Sequence, residues 1–273
     1  MNAIALTGAT GFVGRQILRH LLEKGYRVRL LMRQGDTSGQ AIAKPTVEKV
    51  EVPDLFAEPA DNLREMLHGM DTLIHAAWYA EPGKYLTSPL NLDCLIGTIR
   101  LAQAFREVGG RRFVGIGTCF EYDLDTGVLR TDTPLKPSTL YAACKASTFQ
   151  VLSQLLPSLG CEFAWCRLFY LYGEGEDPRR LVPYLRQQLE AGKPAELTSG
   201  RQIRDFLDVR DAGAMIADVA VSDRQGPVNI CSGLPVTVRQ LAEQIADEYG
   251  RRDLLHFGVR SDNLVDPKCV VGL

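Results

Sequence analysis

The feature that most constrains the fold of this chain is a glycine-rich turn close to its start. Gly8, Gly11 and Gly14 recur at three-residue intervals, directly after a short apolar run at 3–7 and before an amphipathic segment at 14–24. The run predicts a buried strand, and the helical spacing of apolar residues predicts a helix. In this context a glycine turn lets the backbone approach a pyrophosphate, which the helix N-terminus also stabilises. The turn therefore predicts a dinucleotide site formed by Gly8, Thr10, Gly11, Phe12, Val13 and Gly14.

The rest of the first half alternates short apolar runs with amphipathic segments. The pattern predicts strands at 3–7, 26–32, 47–52, 72–76, 112–116 and 162–168, and helices at 14–24, 61–67, 92–108 and 140–156. Repeated β-α-β units of this length are typical of an α/β protein with a doubly wound parallel sheet, the Rossmann fold. After residue 168 the pattern is less regular, which predicts a smaller lobe over the carboxyl ends of the strands. We therefore divide the chain into a nucleotide-binding domain at 1–168, which carries the catalytic residues, and a substrate-binding lobe at 169–273.

Composition limits the partners that we expect. The 31 Lys+Arg and 33 Asp+Glu residues give a net charge of −2, so nothing indicates nucleic acid or an anionic membrane as a partner. No apolar run approaches the roughly 20 residues of a spanning helix, and the N-terminus lacks the basic start of a signal peptide. The seven cysteines form no C-x-x-C pair and do not cluster with the four histidines. We therefore expect reduced thiols, no metal site and a cytoplasmic protein.

The residue after the second predicted strand bears on which nicotinamide dinucleotide is bound. An acidic side chain there would accept the ribose 2′-hydroxyl of NAD, but this chain has Arg33. A guanidinium suits the 2′-phosphate of NADP. We therefore expect NADP(H) to be preferred, with NAD(H) as the alternative, since a single arginine does not by itself reject it.

Three side chains form a candidate catalytic group. Tyr141 and Lys145 lie four residues apart at the start of a predicted helix, so both face the same side. A nearby ammonium favours the tyrosinate and lowers the tyrosine pKa, which suits proton exchange at neutral pH. Thr118 ends the fifth predicted strand, from which its hydroxyl can meet the same substrate oxygen. A Tyr-x-x-x-Lys spacing is common by chance. The catalytic interpretation therefore depends on the presence of Thr118 and the glycine turn in the same chain.

Six motifs follow one another along almost the whole chain. They are TGATGFVG (7–14), DTLIHAA (71–77), GTCFEY (117–122), YAACK (141–145), RLFYLYG (167–173) and RQIRDFLDVRDA (201–212). Together they resemble the extended short-chain dehydrogenase/reductase family, and within it the epimerase/dehydratase group that acts on nucleotide-linked sugars. The resemblance implies a Rossmann domain that holds NAD(P) and a smaller C-terminal lobe for the nucleotide sugar.

The resemblance also implies roles for individual residues. Thr118 matches the family's strand-end Ser/Thr, Tyr141 its acid/base residue and Lys145 the lysine paired with it. Besides the glycine turn and Arg33, the residues implied to bind the cofactor are Asp54, Leu55, Ala76, Ala77, Asn91, Tyr141, Lys145 and Leu168. The residues implied to line the substrate site are Cys119, Phe120, Tyr170, Arg180, Leu181 and Arg204, with Arg204 on the diphosphate.

The chain departs from the family pattern in several places. Cys119 and Phe120 stand where the dehydratase branch has an acidic pair, so elimination of water is disfavoured. Glu121 lies one place further along, and we expect its side chain to point away from the site. Tyr170 replaces an asparagine found in many relatives, and the chain after Gly258 is short.

Other reactive side chains are interpreted as packing residues. His75 lies within the fourth predicted strand, and Cys119 and Cys144 flank the proposed site without an evident activating base. The charged stretch at 174–180 is as consistent with a solvated loop as with a substrate clamp, except at Arg180.

These observations predict an NADPH-dependent enzyme that reduces the 4-keto group of a dTDP- or CDP-linked 6-deoxyhexose to give a deoxysugar nucleotide. One alternative is an NAD-dependent nucleotide-sugar 4-epimerase, and another is a non-catalytic dinucleotide-binding or sensor protein. The helices at 92–108 and 140–156 carry apolar residues on more than one face. Since the corresponding helices of the family commonly form a four-helix seam, we expect a homodimer.

Overall fold

The computed structural model of the chain describes residues 3–36, 45–263 and 266–273. The strands in these ranges are β1 (Ile4–Thr7), β2 (Val28–Arg33), β3 (Val47–Val52), β4 (Thr72–His75), β5 (Arg112–Thr118), β6 (Val128–Leu129), β7 (Glu162–Leu168), β8 (Tyr170–Tyr172), β9 (Ala195–Leu197), β10 (Ile203–Asp208), β11 (Gly226–Ile230), β12 (Pro235–Thr237), β13 (Leu255–Phe257) and β14 (Cys269–Gly272). The helices are α1 (Gly14–Glu23), α2 (Ala60–Leu67), α3 (Leu90–Glu107), α4 (Leu140–Ser158), α5 (Leu181–Glu190), α6 (Val209–Val221) and α7 (Val238–Glu248).

Seven strands form one large parallel sheet in the order β11-β7-β5-β4-β1-β2-β3. The chain runs outward from β1 to β2 and β3, then returns to the other side of β1 as β4. In parallel sheets a crevice opens at the carboxyl ends of the two strands where the order reverses, and ligands bind there. Here that point lies between Thr7 and His75, which are in register at the ends of β1 and β4.

Helices cover both faces of this sheet. On one face α1 and α6 bury apolar side chains such as Ile17, Leu21 and Ile216 in a shared core. On the other face α2, α3 and α4 form a second core with residues such as Phe105 and Leu152. This three-layer arrangement confirms the predicted Rossmann fold.

A smaller lobe stands beside the carboxyl edge of the large sheet. Its sheet has the order β12-β10-β14-β6, with β8 also paired to β10, and β9 pairs with β13. Helices α5 and α7 pack together there through Leu185, Leu189 and Ile245. The lobe thus has its own apolar core.

The structure does not follow the boundary at residue 168 throughout. Helix α6 packs against α1, and β11 forms the edge of the large sheet beside β7, although both lie in the range 169–273. Their apolar residues complete the core that α1 begins. The separate lobe is therefore built mainly from the described residues of 169–208 and 231–273, whereas α6 and β11 belong to the larger part. With this change, the division into a nucleotide-binding domain and a substrate-binding lobe stays a proposal.

Local expectations from the pattern agree closely with the structure. The predicted strands at 47–52 and 162–168 have the bounds of β3 and β7, and the other predicted elements differ by no more than two residues at either end. The seven cysteines are all unpaired. Among the described residues no helix is both long enough and apolar enough to cross a membrane.

Candidate active site

A cleft of about 810 Å³ lies along the carboxyl edge of the large sheet, between it and the smaller lobe. It begins at the glycine turn, passes the ends of β4 and β5, and reaches the segment after β7. The predicted site residues that line it are Gly8, Thr10, Gly11, Phe12, Val13, Gly14, Arg33, Asp54, Leu55, Ala76, Ala77, Thr118, Cys119, Phe120, Tyr141, Lys145, Leu168, Tyr170 and Arg180. One continuous space therefore joins the candidate dinucleotide residues to the candidate catalytic residues.

The glycine turn is shaped by close backbone contacts. Gly8 has φ of 70°, and a Cβ there would lie 2.6 Å from the backbone nitrogen of Ala77. A Cβ on Gly14 would overlap the carbonyl oxygen of Gly8. The two positions therefore require glycine, because a side chain on residue 8 would collide with the backbone after β4 and one on residue 14 would collide with the turn itself.

The N-terminus of α1 faces this turn without a side-chain cap. Its N-cap residue, Val13, makes no side-chain cap hydrogen bond, and the first turn of the helix holds no acidic residue. The first N–H groups of a helix lack partners within the helix, and the helix dipole places partial positive charge there. The turn and the helix end together fit an anionic diphosphate.

Thr118 ends β5 and starts a short helical turn. Its hydroxyl accepts a hydrogen bond from the backbone N–H of Phe120 at 3.3 Å, and its own N–H donates to the Glu121 carboxylate at 2.8 Å. This reciprocal capping pattern fixes the residue at the carboxyl end of the strand. The hydroxyl is thereby held at the cleft, which Tyr141 also lines.

Tyr141 lies in the first turn of α4, which Thr139 caps by accepting from the Ala142 N–H at 3.2 Å. Its ring packs edge-on against Tyr85, with 4.8 Å between ring centroids. Burial raises the pKa of Tyr141 well above its ordinary value, and interaction with the Thr118 side chain acts in the opposite direction. The sequence predicts a pKa lowered by Lys145, but the pKa of Tyr141 is raised because desolvation of the phenolate outweighs the other effects.

Lys145 is almost completely buried, with 4% of its surface exposed. Its ammonium donates to the carbonyl oxygen of Ile116 at 2.6 Å and lies over the Trp78 ring, 3.7 Å from the ring centroid. Burial lowers its pKa to about 7, against the opposing effect of Glu121 and Cys94. The lysine is therefore close to its titration midpoint at neutral pH.

Glu121 points away from the cleft, as expected. Its carboxylate accepts hydrogen bonds from Arg167 at 2.7 Å and from the indole N–H of Trp165 at 3.0 Å, and it is fully buried. A carboxylate held by a guanidinium in this way is an anion with a structural partner. It is not placed to exchange protons with a ligand in the cleft.

The histidine and cysteines nearest the site are packing residues, as interpreted from the sequence. His75 is buried between the hydroxyls of Thr7 and Thr98, each 2.9 Å from a ring nitrogen, and burial lowers its pKa to about 3. Burial raises the pKa of Cys119 to about 12 and also raises that of Cys144. All three side chains are therefore uncharged at neutral pH.

Three predicted site residues do not line the cleft. Asn91 is fully buried behind its wall, and Leu181 packs into the core of the smaller lobe. Arg204 is also buried, donating to Asp266 at 2.7 Å behind the ring of Tyr170. The resemblance implies that these residues contact a ligand, but in the structure their side chains pack against or hydrogen-bond other residues of the protein.

Several cleft residues were not predicted. Trp78 and Tyr85 follow β4, Asp36 follows β2, and Glu176 follows β8. Trp78, Asp36 and Glu176 lie within four residues of a strand end, a position that the sequence could have indicated, whereas Tyr85 lies further along the segment after β4. Burial raises the pKa of Glu176 to about 7.

The parallel sheet, the glycine turn and the position of the cleft define a Rossmann-fold protein. The model of the NAD dependent epimerase/dehydratase family matches residues 4–231, so the chain belongs to this family. This confirms the family predicted from the motifs.

Individual relatives differ in the reaction for which they are named. The chain is 25% identical to the dTDP-6-deoxy-L-talose 4-dehydrogenase (NAD(+)) of Aggregatibacter actinomycetemcomitans, over 100% of this chain and 99% of the relative. It is 23% identical to the CDP-abequose synthase of Salmonella muenchen, over 96% of this chain and 87% of the relative. A solved structure of the UDP-glucose 4-epimerase of Thermus thermophilus with NAD has a TM-score of 0.82 at 22% identity, covering 99% of this chain and 90% of that chain. That structure shows the common fold.

Proposed function

We propose that the chain is an enzyme that uses NADPH to reduce the 4-keto group of a dTDP- or CDP-linked 6-deoxyhexose. The observation that carries the proposal is the meeting of Thr118, Tyr141 and Lys145 on one wall of the cleft that begins at the glycine turn. The relative named dTDP-6-deoxy-L-talose 4-dehydrogenase supports a reaction at the 4-position of a 6-deoxy sugar nucleotide.

The residues around the turn fit a nicotinamide dinucleotide. The N-terminus of α1, which has no side-chain cap, would take the pyrophosphate, with Gly8 and Gly14 allowing the backbone to come close. Arg33 is exposed at the end of β2 and lines the cleft, where its guanidinium suits a 2′-phosphate. Asp36 lines the same part of the cleft and would suit a ribose hydroxyl instead. We propose that Arg33 decides the preference for NADP(H).

The nicotinamide would supply the hydride that adds to the carbonyl carbon. Tyr141 donates its phenolic proton to the carbonyl oxygen, and burial keeps this phenol protonated at neutral pH by raising its pKa. Thr118 hydrogen-bonds the same oxygen, and the Lys145 ammonium stabilises the tyrosinate that forms. The new C–H and O–H bonds convert the ketone to an alcohol, and solvent returns a proton to Tyr141.

The wall next to Thr118 favours simple reduction over elimination of water. A dehydratase needs an acid and a base beside the reacting carbons. Here Cys119, with a pKa of about 12, and Phe120 stand at those positions. Glu121 is held by Arg167 on the far side. The site thus has a proton donor for the oxygen and no titratable pair next to Thr118 for the neighbouring carbons.

The nucleotide is proposed to bind toward the smaller lobe. Arg180 lines the cleft at the start of α5, and we assign it to the diphosphate because a guanidinium binds phosphate oxygens in pairs. Arg204 was expected in that role but lies behind Tyr170, whose ring lines the cleft. We propose that Arg204 fixes the position of Tyr170.

We also propose that the enzyme is a cytoplasmic homodimer. The exposed sides of α3 and α4 carry Leu92, Ile96 and Val151, each more than two-fifths exposed. A second copy packing there would bury these side chains in a four-helix seam. Seven unpaired cysteines agree with a reducing compartment.

The reaction is tested by incubating the purified protein with a dTDP- or CDP-linked 4-keto-6-deoxyhexose and either NADPH or NADH. We expect stoichiometric loss of reduced-nicotinamide absorbance, faster with NADPH, and a product carrying the cofactor's deuterium at C4 when the labelled cofactor is used. Conversion of a 4-hydroxy sugar nucleotide without net cofactor use would instead indicate the epimerase. Dinucleotide binding with no turnover of either substrate class would indicate the sensor protein.

A further inference from the structure

The indole of Trp78 makes an unusual contact with the candidate lysine. The Lys145 ammonium lies 3.7 Å from the centroid of the Trp78 ring, and its one hydrogen bond given by the described residues goes to the carbonyl oxygen of Ile116. An ammonium has three N–H donors. One is taken by Ile116 and the aromatic face covers another side, so donor capacity remains for hydroxyl groups of a ligand in the cleft.

A single buried amide holds this indole in place. The Oδ1 atom of Asn91 accepts from the Trp78 indole N–H at 2.8 Å, and its Nδ2 atom donates to the backbone carbonyls of Tyr85 at 2.6 Å and Ser88 at 2.8 Å. Asn91 is fully buried. It therefore ties the indole over Lys145 to the backbone that carries the Tyr85 ring.

Both aromatic rings also pack on the candidate acid. The centroids of Trp78 and Tyr141 are 6.5 Å apart and those of Tyr85 and Tyr141 are 4.8 Å apart, both edge-on. Aromatic pairs prefer edge-on or offset-stacked contacts to a face-to-face sandwich, so these contacts favour the observed ring positions. The arrangement around Asn91 thus restricts the phenol and the ammonium together.

We propose that Trp78 and Asn91 are positioning residues: the indole face holds the Lys145 ammonium charged and directed into the cleft, and Asn91 orients the indole. The part that concerns the reaction rests on the proposed function. The part that concerns Lys145 is a property of this chain's own residues and can be measured through cofactor binding.

The charge state of Lys145 depends on its neighbours from several elements. Burial favours the neutral amine, whereas Glu121 after β5 and Cys94 on α3 favour the ammonium. Glu121 is already paired with Arg167 from β7, and His75 on β4 is uncharged at neutral pH. A cation over an indole face is stabilised when it is desolvated. Removing the ring should therefore lower the pKa of Lys145 further.

The test is the pH dependence of NADPH affinity, measured by cofactor fluorescence for the parent and for Trp78→Phe, Trp78→Leu and Asn91→Leu. In the parent, affinity should fall as pH rises through the titration of Lys145. In Trp78→Leu the same fall should begin about one pH unit lower, equivalent to about fivefold weaker binding at the parent's midpoint and about tenfold at higher pH. Trp78→Phe keeps an aromatic face but loses the N–H that Asn91 holds, so Trp78→Phe and Asn91→Leu should each shift in the direction of Trp78→Leu by a smaller amount.

Thermal melting and circular dichroism identify any variant that fails to fold. Comparing Trp78→Phe with Trp78→Leu then separates the effect of the aromatic face on the Lys145 charge from a general loss of packing. A Trp78→Leu profile that superimposes on the parent's, or an equal shift in the phenylalanine variant, overturns the inference for Trp78. An unshifted Asn91→Leu profile overturns it for Asn91. Failure to reduce any keto sugar would defeat the proposed function, but the binding profiles would still decide the roles of these two residues.

Discussion

A tyrosine and a lysine one turn apart on α4 experience opposite effects of desolvation. Burial raises the pKa of Tyr141 and lowers that of Lys145 to about 7, so each is driven toward its neutral form. For ketone reduction the protonated phenol is the useful form, whereas the lysine is useful when charged. The rate of reduction should therefore fall as pH rises above neutrality, when Lys145 loses its proton.

Replacement of Tyr141 by phenylalanine removes the proposed proton donor and keeps its ring against Tyr85. We expect turnover to fall by about two to four orders of magnitude, the usual contribution of general acid catalysis, with NADPH affinity changed by less than about threefold. Steady-state rates and cofactor titration measure the two quantities separately. Undiminished turnover in Tyr141→Phe would show that another group protonates the oxygen.

At the scale of single elements, the N-terminus of α1 has no side-chain cap, which leaves it available to an anionic ligand. Arg15 lies in the first turn, and its guanidinium donates to the carbonyls of Thr10 and Gly11 at 3.0 and 3.3 Å. It supports the glycine turn from the solvent side and adds positive charge beside the proposed pyrophosphate position.

Substitution of Arg15 by glutamate should separate helix stability from ligand binding. The new carboxylate interacts favourably with the helix dipole, by about 0.3–1 kcal/mol, which offsets part of the loss of the arginine's hydrogen bonds. The same charge repels a diphosphate, so we expect NADPH affinity to drop by about tenfold or more. Thermal unfolding and cofactor titration are the measurements, and Arg15→Gln is the neutral control. Equal affinities in the two variants would argue against an anion at this helix end.

Local pattern accounts for most of the elements but for less of the site. The strands, the glycine turn and the positions of Thr118, Tyr141 and Lys145 are all readable from the sequence because they depend on periodicity and on known strand ends. The place of Asn91 is not readable, because its role depends on hydrogen bonds to Trp78 and Tyr85 that only the folded loop brings together. The direction of the Tyr141 pKa shift is not readable either, since it depends on how deeply the phenol is buried.

At the scale of the whole molecule, the exposed apolar sides of α3 and α4 indicate how two copies could meet. Introducing a charge with Ile96→Glu should prevent the proposed seam from forming, because a buried unpaired carboxylate is costly. We expect light scattering to report the dimer mass for the parent and the monomer mass for the variant. Val221→Glu is the control, since Val221 is similarly exposed but ends α6 on the opposite face of the large sheet. A monomeric parent would show that the seam does not form.

The path of the chain has a mechanical consequence. The backbone leaves the large sheet after β7, returns with α6 and β11, and leaves again for β12 and β14, while β6 reaches the small sheet from the first half of the chain. Because several covalent crossings span the boundary, cutting the backbone once at the edge of either part would leave both still joined. Any hinge motion between the two parts would therefore have to bend the chain at all of these crossings together.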